Sequence, residues 1–181
     1  VLPPLLAQTD PDFTLVLMTG PDLPEPYLSQ LRELTEIAPQ FRLSLVEPMA
    51  EHIEACRAAT IPHIDPDADV VGHFRQDDDD AVAVNYIECA RGDFAMLRDL
   101  WQLRRRLYCD YSRGLVLKAT QDGVTVEPRI IHHAVAAMTV YLAPDAGHSV
   151  VDFPHWKISM AMPGVIMAEQ IMYARVLNHD N

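Results

Sequence analysis

Apolar residues recur along this chain in two rhythms, and the switches between them lay out the elements. Phe13–Met18 is a short apolar run stopped by Thr19-Gly20-Pro21, the pattern of a buried strand followed by a turn. Tyr27, Leu28, Leu31, Leu34 and Ile37 then fall at helical spacing after a proline-rich entry. The alternation repeats. Phe41–Val46 reads as a strand, Ala50–Thr60 as a helix and Val70–Arg75 as a third strand. Ala81, Val82, Val84, Ile87 and Cys89 fit a further helix, although they also alternate, and a long helix is expected over about Phe94–Tyr108.

Beyond that helix the texture changes. Leu115–Ala119 and Val124–Val126 flank Gln121-Asp122-Gly123, a hairpin signal. Ala137–Leu142 and Val150–Phe153 read as strands, and Val165–Leu177 as a helix before the closing Asn178-His179-Asp180-Asn181. Strand–helix alternation implies a mostly parallel sheet flanked by helices, with ligands beyond the carboxyl ends of the strands. The expected fold is therefore one α/β domain over residues 1–181, with a more antiparallel second half and no repeat or linker.

Composition narrows the function classes. The 181 residues are 49% apolar, which excludes a disordered chain. A formal charge of −12 repels a nucleic-acid backbone and suits a site that concentrates a divalent cation. Cys56, Cys89 and Cys109 are odd in number and far apart, so neither a disulfide framework nor a thiolate zinc site is expected. A reduced, cytoplasmic setting follows as the expectation. The longest apolar stretch, near Ala134–Ala143, is strand-sized and well short of the roughly 18 residues that span a bilayer. The N-terminus carries no basic region followed by an apolar one, so no signal peptide is read there.

The strongest chemical signal is Asp77-Asp78-Asp79-Asp80, which starts at the carboxyl end of the third predicted strand. Four adjacent carboxylates repel one another unless water or a cation screens them, so a solvated acidic loop is the simplest alternative. In an extended segment Asp77 and Asp79 share one side, with Asp78 and Asp80 on the other. Asp80 is then placed to cap the helix expected from Ala81. Oxygen ligands of this kind suit Mg²⁺ or Mn²⁺, which takes one or two protein carboxylates plus substrate phosphates.

Arg75-x-Asp77-x-Asp79-Asp80-Ala81 resembles the motif of the bacterial "putative rhamnosyltransferase" family. Leu6-Ala7-Gln8-Thr9-Asp10-Pro11-Asp12-Phe13 and Leu23-Pro24-x-x-Tyr27 support the match. The resemblance covers residues 1 to about 95 well. The remainder is matched loosely, through Phe153-Pro154-His155 and the closing Asn178–Asn181. It implies a GT-A (Rossmann-like) fold, with residues 1–95 binding a nucleotide-diphosphate sugar and residues 96–181 forming the acceptor side. It also implies a divalent cation on Asp77 and Asp79, and a glycan or glycolipid acceptor. Family members usually begin with a strand carrying an Arg-Phe-Ser-like segment. None precedes the first helix here, so the expected domain lacks that strand.

Other residues are assigned on position. Arg75 either grips a donor phosphate or serves as a counter-ion to the aspartates. By the resemblance a C-terminal histidine completes the metal shell, which points to His179, with His155 also to be watched; an ordinary surface or core histidine is the alternative. An inverting transfer needs a carboxylate base, for which Asp152 is chosen on order alone, ahead of Asp145 and with Glu169 as another option. His132 and His133 would point to opposite faces of a strand and are set aside. Arg98, Arg104, Arg105 and Arg106 decorate a helix and read as a solvated face, or as a contact for an anionic acceptor or membrane surface. A non-catalytic cation- or carbohydrate-binding module and a metal-dependent phosphohydrolase remain alternatives.

Overall fold

The computed structural model describes residues 2–120 and 123–177. The first half follows the predicted alternation. A short helix α1 (Leu2–Leu6) precedes β1 (Leu15–Thr19), α2 (Tyr27–Glu36), β2 (Phe41–Leu45) and α3 (His52–Thr60). Next come β3 (Val71–His73), β4 (Asp80–Val82) and the long helix α4 (Tyr86–Gln102). β5 (Arg106–Tyr111), β6 (Arg113–Thr120), β7 (Gly123–Ile130) and β8 (Met138–Leu142) follow, then α5 (Ile158–Ala161), β9 (Gly164–Met167) and β10 (Tyr173–Leu177).

The strands form three sheets among the described residues. β1 and β2 pair in parallel, a second sheet runs β4-β10-β6-β7, and a third runs β3-β8-β5-β9. The sheets are mixed rather than mostly parallel, which corrects the sequence expectation. Only β1–β2, β6–β10 and β5–β9 are parallel pairs, and the other neighbours run antiparallel. β6 and β7 pair from Arg113 opposite Ile130 to Thr120 opposite Gly123, so the expected hairpin is present.

Four element assignments change. Ala81–Val82 belong to β4 and not to a helix, which begins only at Tyr86. Helix α4 stops before the predicted Tyr108. The Arg105 N–H donates to the Trp101 carbonyl at 2.7 Å, and Arg105 takes a left-handed φ of +52° that ends the spiral. Val150–Asp152 forms a 3₁₀ turn with a reciprocal Ser149–Asp152 capping box, not a strand. The predicted helix Val165–Leu177 is two strands. Both are fixed by aromatic–glycine pairs across parallel partners, Tyr108 opposite Gly164 and Tyr173 opposite Gly114. A Cβ on either glycine would overlap the facing ring. Long-range pairing thereby overrides a locally helical composition.

The core is an aromatic cluster gathered by α4, which buries Tyr86, Ile87, Ala90, Phe94 and Trp101 along one face. Each large side chain buried there stabilises by about 1.5–3 kcal/mol. Its phenols are satisfied. Tyr86 pairs with the Thr139 hydroxyl at 2.7 Å, Tyr141 donates to the Ala90 carbonyl at 2.6 Å, and Tyr111 donates to Asp93 Oδ2 at 2.7 Å. Of the four arginines read as a solvated helix face, Arg104–Arg106 lie beyond α4, with Arg106 opening β5, and Arg98 and Arg105 have local partners. Arg98 lies over Phe94 and Arg105 over Trp101, the latter 4.9 Å from the ring centroid.

Candidate functional site

The loop that carries the aspartates leaves β3 at His73 and is fastened by Phe74, whose ring sits 5.0 Å from that of Tyr86. Asp77 to Asp80 then form a tight turn, closed by the Asp80 N–H donating to the Asp77 carbonyl at 3.2 Å. The segment is therefore not extended, and the expected two-sided alternation of the aspartates does not hold. Asp78 is exposed and Asp77 and Asp79 are half-buried, whereas Asp80 is 1% exposed and opens β4. Asp80 is thus a strand residue facing inward, not a helix cap.

Across from it stands Arg175 on β10, in direct register with Asp80 and 3.9 Å from its Oδ1. The Val176 N–H reaches the Asp79 carbonyl at 3.4 Å. Burial pushes Asp80 up to about 6; Arg175 opposes that shift, and Asp79 and Asp77 add to it. Both Asp80 oxygens, the Arg175 Nε and the Gln76 side-chain amide are shielded from solvent with no hydrogen-bond partner among the described residues. Polar atoms buried without partners are costly in a fold.

Beside this cluster lies a cavity of about 400 Å³. Arg75, Asp77 and Arg175 form its charged wall. His132, His133, His155 and Trp156 also line it, together with Ile131, Ala134 and Val135. Arg75 binds Asp77, Nε to Oδ1 at 3.1 Å and Nη2 to Oδ2 at 3.3 Å, so its counter-ion role is formed. Burial lowers the His155 imidazole below its usual range, and Arg75 and Arg175 lower it further. A second cavity of about 320 Å³, along Arg113, Pro128, Arg129, Ile130 and Ile171, holds no acid or histidine.

The histidine pair set aside as strand residues belongs to the site. Residues 132 and 133 form a turn, His133 adopts φ +57°, and both residues line the same cavity. Arg175 is also hidden at the level of sequence, because residues 165–177 read as a helix. The signal for it was a lone cation in a strand-forming stretch, Tyr-Ala-Arg-Val-Leu.

The remaining candidates sit elsewhere. Asp152 is drawn to α3, where Arg57 Nε donates to its Oδ1 at 2.7 Å, and its Oδ2 accepts the Ser149 N–H at 2.7 Å. His148 approaches to 3.5 Å. Burial raises the Asp152 carboxyl, but Arg57 and the Ser149 N–H outweigh it and hold the group below its usual range. Asp145 is exposed. His179 lies outside the described residues. Among the described residues no three His, Cys, Asp or Glu side chains converge to complete a metal shell.

The upstream motif has a structural role. Gln8 Nε2 donates to the Ala83 carbonyl at 2.7 Å, and Thr9 Oγ1 donates to Glu88 at 2.6 Å. Asp10 and Asp12 both pair with Arg91. This segment clamps the corner between β4 and α4, directly after the aspartate turn.

The family model described as "Putative rhamnosyl transferase" matches residues 1–181, the whole chain. The chain belongs to this family. Membership in the rhamnosyl transferase family points to a glycosyltransferase, an enzyme with a sugar donor and an acceptor. No curated protein matches the chain. No helix among the described residues is long and apolar enough to cross a membrane.

Proposed function

We propose that the chain transfers a rhamnosyl or closely related sugar from a nucleoside-diphosphate donor to a hydroxyl of a glycan or glycolipid, on a GT-A type fold. The observation that supports this reading is the charged wall of the larger cavity, where two guanidiniums and an acidic turn meet. Arg175 and Arg75 present planar donors matched to phosphate oxygens, and a diphosphate would take the place of carboxylates as their partner.

A divalent cation fits this donor set. Asp77 and Asp79 supply the one or two carboxylates that Mg²⁺ or Mn²⁺ takes from protein, with the remaining positions left to phosphate and water. The unsatisfied Asp80 oxygens add negative potential behind them. His179 is a further candidate ligand. When bound, the cation neutralises charge that develops on the departing diphosphate. Trp156, two-thirds exposed at 66%, offers its indole face at the cavity rim for a sugar ring or a base.

Thermal melts with dTDP, UDP and GDP, each with and without Mn²⁺, test this reading. One nucleotide with Mn²⁺ is expected to raise the melting temperature beyond the metal alone. Arg175→Ala should weaken that binding about ten-fold or more, and Asp79→Ala should remove its dependence on metal. A wild-type protein that responds to no nucleotide would refute the donor site.

A further inference from the structure

We propose that His133 is the base that takes the acceptor's proton, through its Nδ1; this rests on the glycosyl-transfer reading above. Four observations place it there. His133 holds a left-handed backbone conformation, φ +57°, which a non-glycine residue adopts at a cost and keeps only where its surroundings enforce it. What enforces it is Asp110 on β5, 0% exposed, whose Oδ2 accepts the His133 N–H at 2.7 Å. The Asp110 Oδ1 is buried without a hydrogen-bond partner among the described residues, so the carboxylate that holds the His133 backbone keeps an uncommitted acceptor. Finally, His133 lines the cavity that Arg75, Asp77 and Arg175 also line.

Tyr108 sets the orientation. Its hydroxyl lies 3.2 Å from His133 Nε2, and the two rings meet edge-on at 5.5 Å. With Nε2–H donating to the Tyr108 oxygen, the Nδ1 lone pair is left for the cavity. This is the division of labour of an oriented histidine base, with a buried carboxylate and a hydroxyl in support. His155 is the weaker choice, since burial and two arginines disfavour its protonated form. The groups around His133 are Asp110 and Tyr108 on β5, His132 beside it, Arg75 and Asp77 on the aspartate loop, Arg175 on β10 and His155.

The step balances without a further reagent. The acceptor oxygen attacks the anomeric carbon as its proton passes to Nδ1. The bond from that carbon to the diphosphate oxygen breaks, and its electron pair leaves with the diphosphate. Direct displacement of this kind inverts the anomeric centre.

Water can stand in for the acceptor, so the test needs no acceptor identity. The probes are dTDP- and UDP-rhamnose with Mn²⁺, followed by release of rhamnose and by the anomer first formed, alongside nucleotide binding measured separately. His133→Asn retains a side chain that tolerates the left-handed backbone, and His133→Gln is the second variant. The expected result is inversion in the wild type and a fall in kcat of about 100-fold or more in both variants, with dTDP or UDP affinity within about three-fold. Tyr108→Phe should lower kcat and leave KM unchanged. Variants that keep kcat within about three-fold, or retention of configuration, overturn the base assignment alone. A wild type that binds nucleotide but releases no rhamnose also overturns the assignment and leaves the donor site standing. A wild type that binds no nucleotide overturns both.

Discussion

The side-chain oxygen of Gln8 accepts the N–H of Ile87 at 3.0 Å, joining the first helix region to the first turn of α4. Helix α4 has no side-chain cap of its own, since Asn85 makes no capping hydrogen bond. Gln8 fills that role from far upstream, while its amide also donates to the carbonyls of Pro4 and Ala83.

Gln8→Ala is therefore expected to destabilise the fold by about 1–3 kcal/mol, the range for leaving buried polar groups unpaired. Denaturant unfolding followed by circular dichroism measures it. A loss too small to resolve would show that water replaces the three hydrogen bonds without penalty.

A second expectation concerns Asp152. Its carboxylate ties the Val150–Asp152 turn to Arg57 of α3, so Asp152→Ala should cost about 1–3 kcal/mol through the lost cap and hydrogen bonds. Arg57→Ala should destabilise less, because the guanidinium side is partly exposed. Donor turnover should fall only as far as folding does. A turnover loss of about 100-fold in an Asp152→Asn protein of unchanged melting temperature would move the base from His133 to Asp152.

The third expectation is a pH dependence with a fixed sign. His73 on β3 is buried, and burial lowers its imidazole from 6.5 to about 4. Between those values the unfolded chain binds a proton that the folded chain does not. The stability is fully present above about pH 6.5 and is lost as pH falls toward 4. From pH 6.5 to 5 this one group removes about 2 kcal/mol. His73→Gln should flatten that part of the stability profile in urea melts at matched pH values. Parallel profiles for the two proteins would rule His73 out as the source.

The sequence was legible where the physics is local. β1, α2, β2, α3 and the β6–β7 hairpin follow from apolar spacing and turn residues alone. The aspartate run and Arg75 were found because a charged cluster between apolar segments stands out. β9 and β10 were not found, since what makes them strands is a glycine opposite a tyrosine on a distant partner. Asp80 looked like a helix cap because nothing before Arg175 in the chain reveals the strand that covers it. His133 was set aside on strand geometry, and the hydrogen bond from its N–H to the buried Asp110, which holds it in a turn, is a long-range contact that the sequence does not reveal.

The placement of β10 also governs the order in which the molecule can be made. It lies between β4 and β6 and runs parallel to one and antiparallel to the other, yet it follows both in the chain. As the chain leaves a ribosome, the aspartate turn and β6 emerge first, with no shared neighbour and with Asp80 facing no guanidinium. Closing that long loop is the entropically expensive step, and it cannot begin until Tyr173–Leu177 have been synthesised. The charged cavity is therefore incomplete until β10 has paired with both β4 and β6.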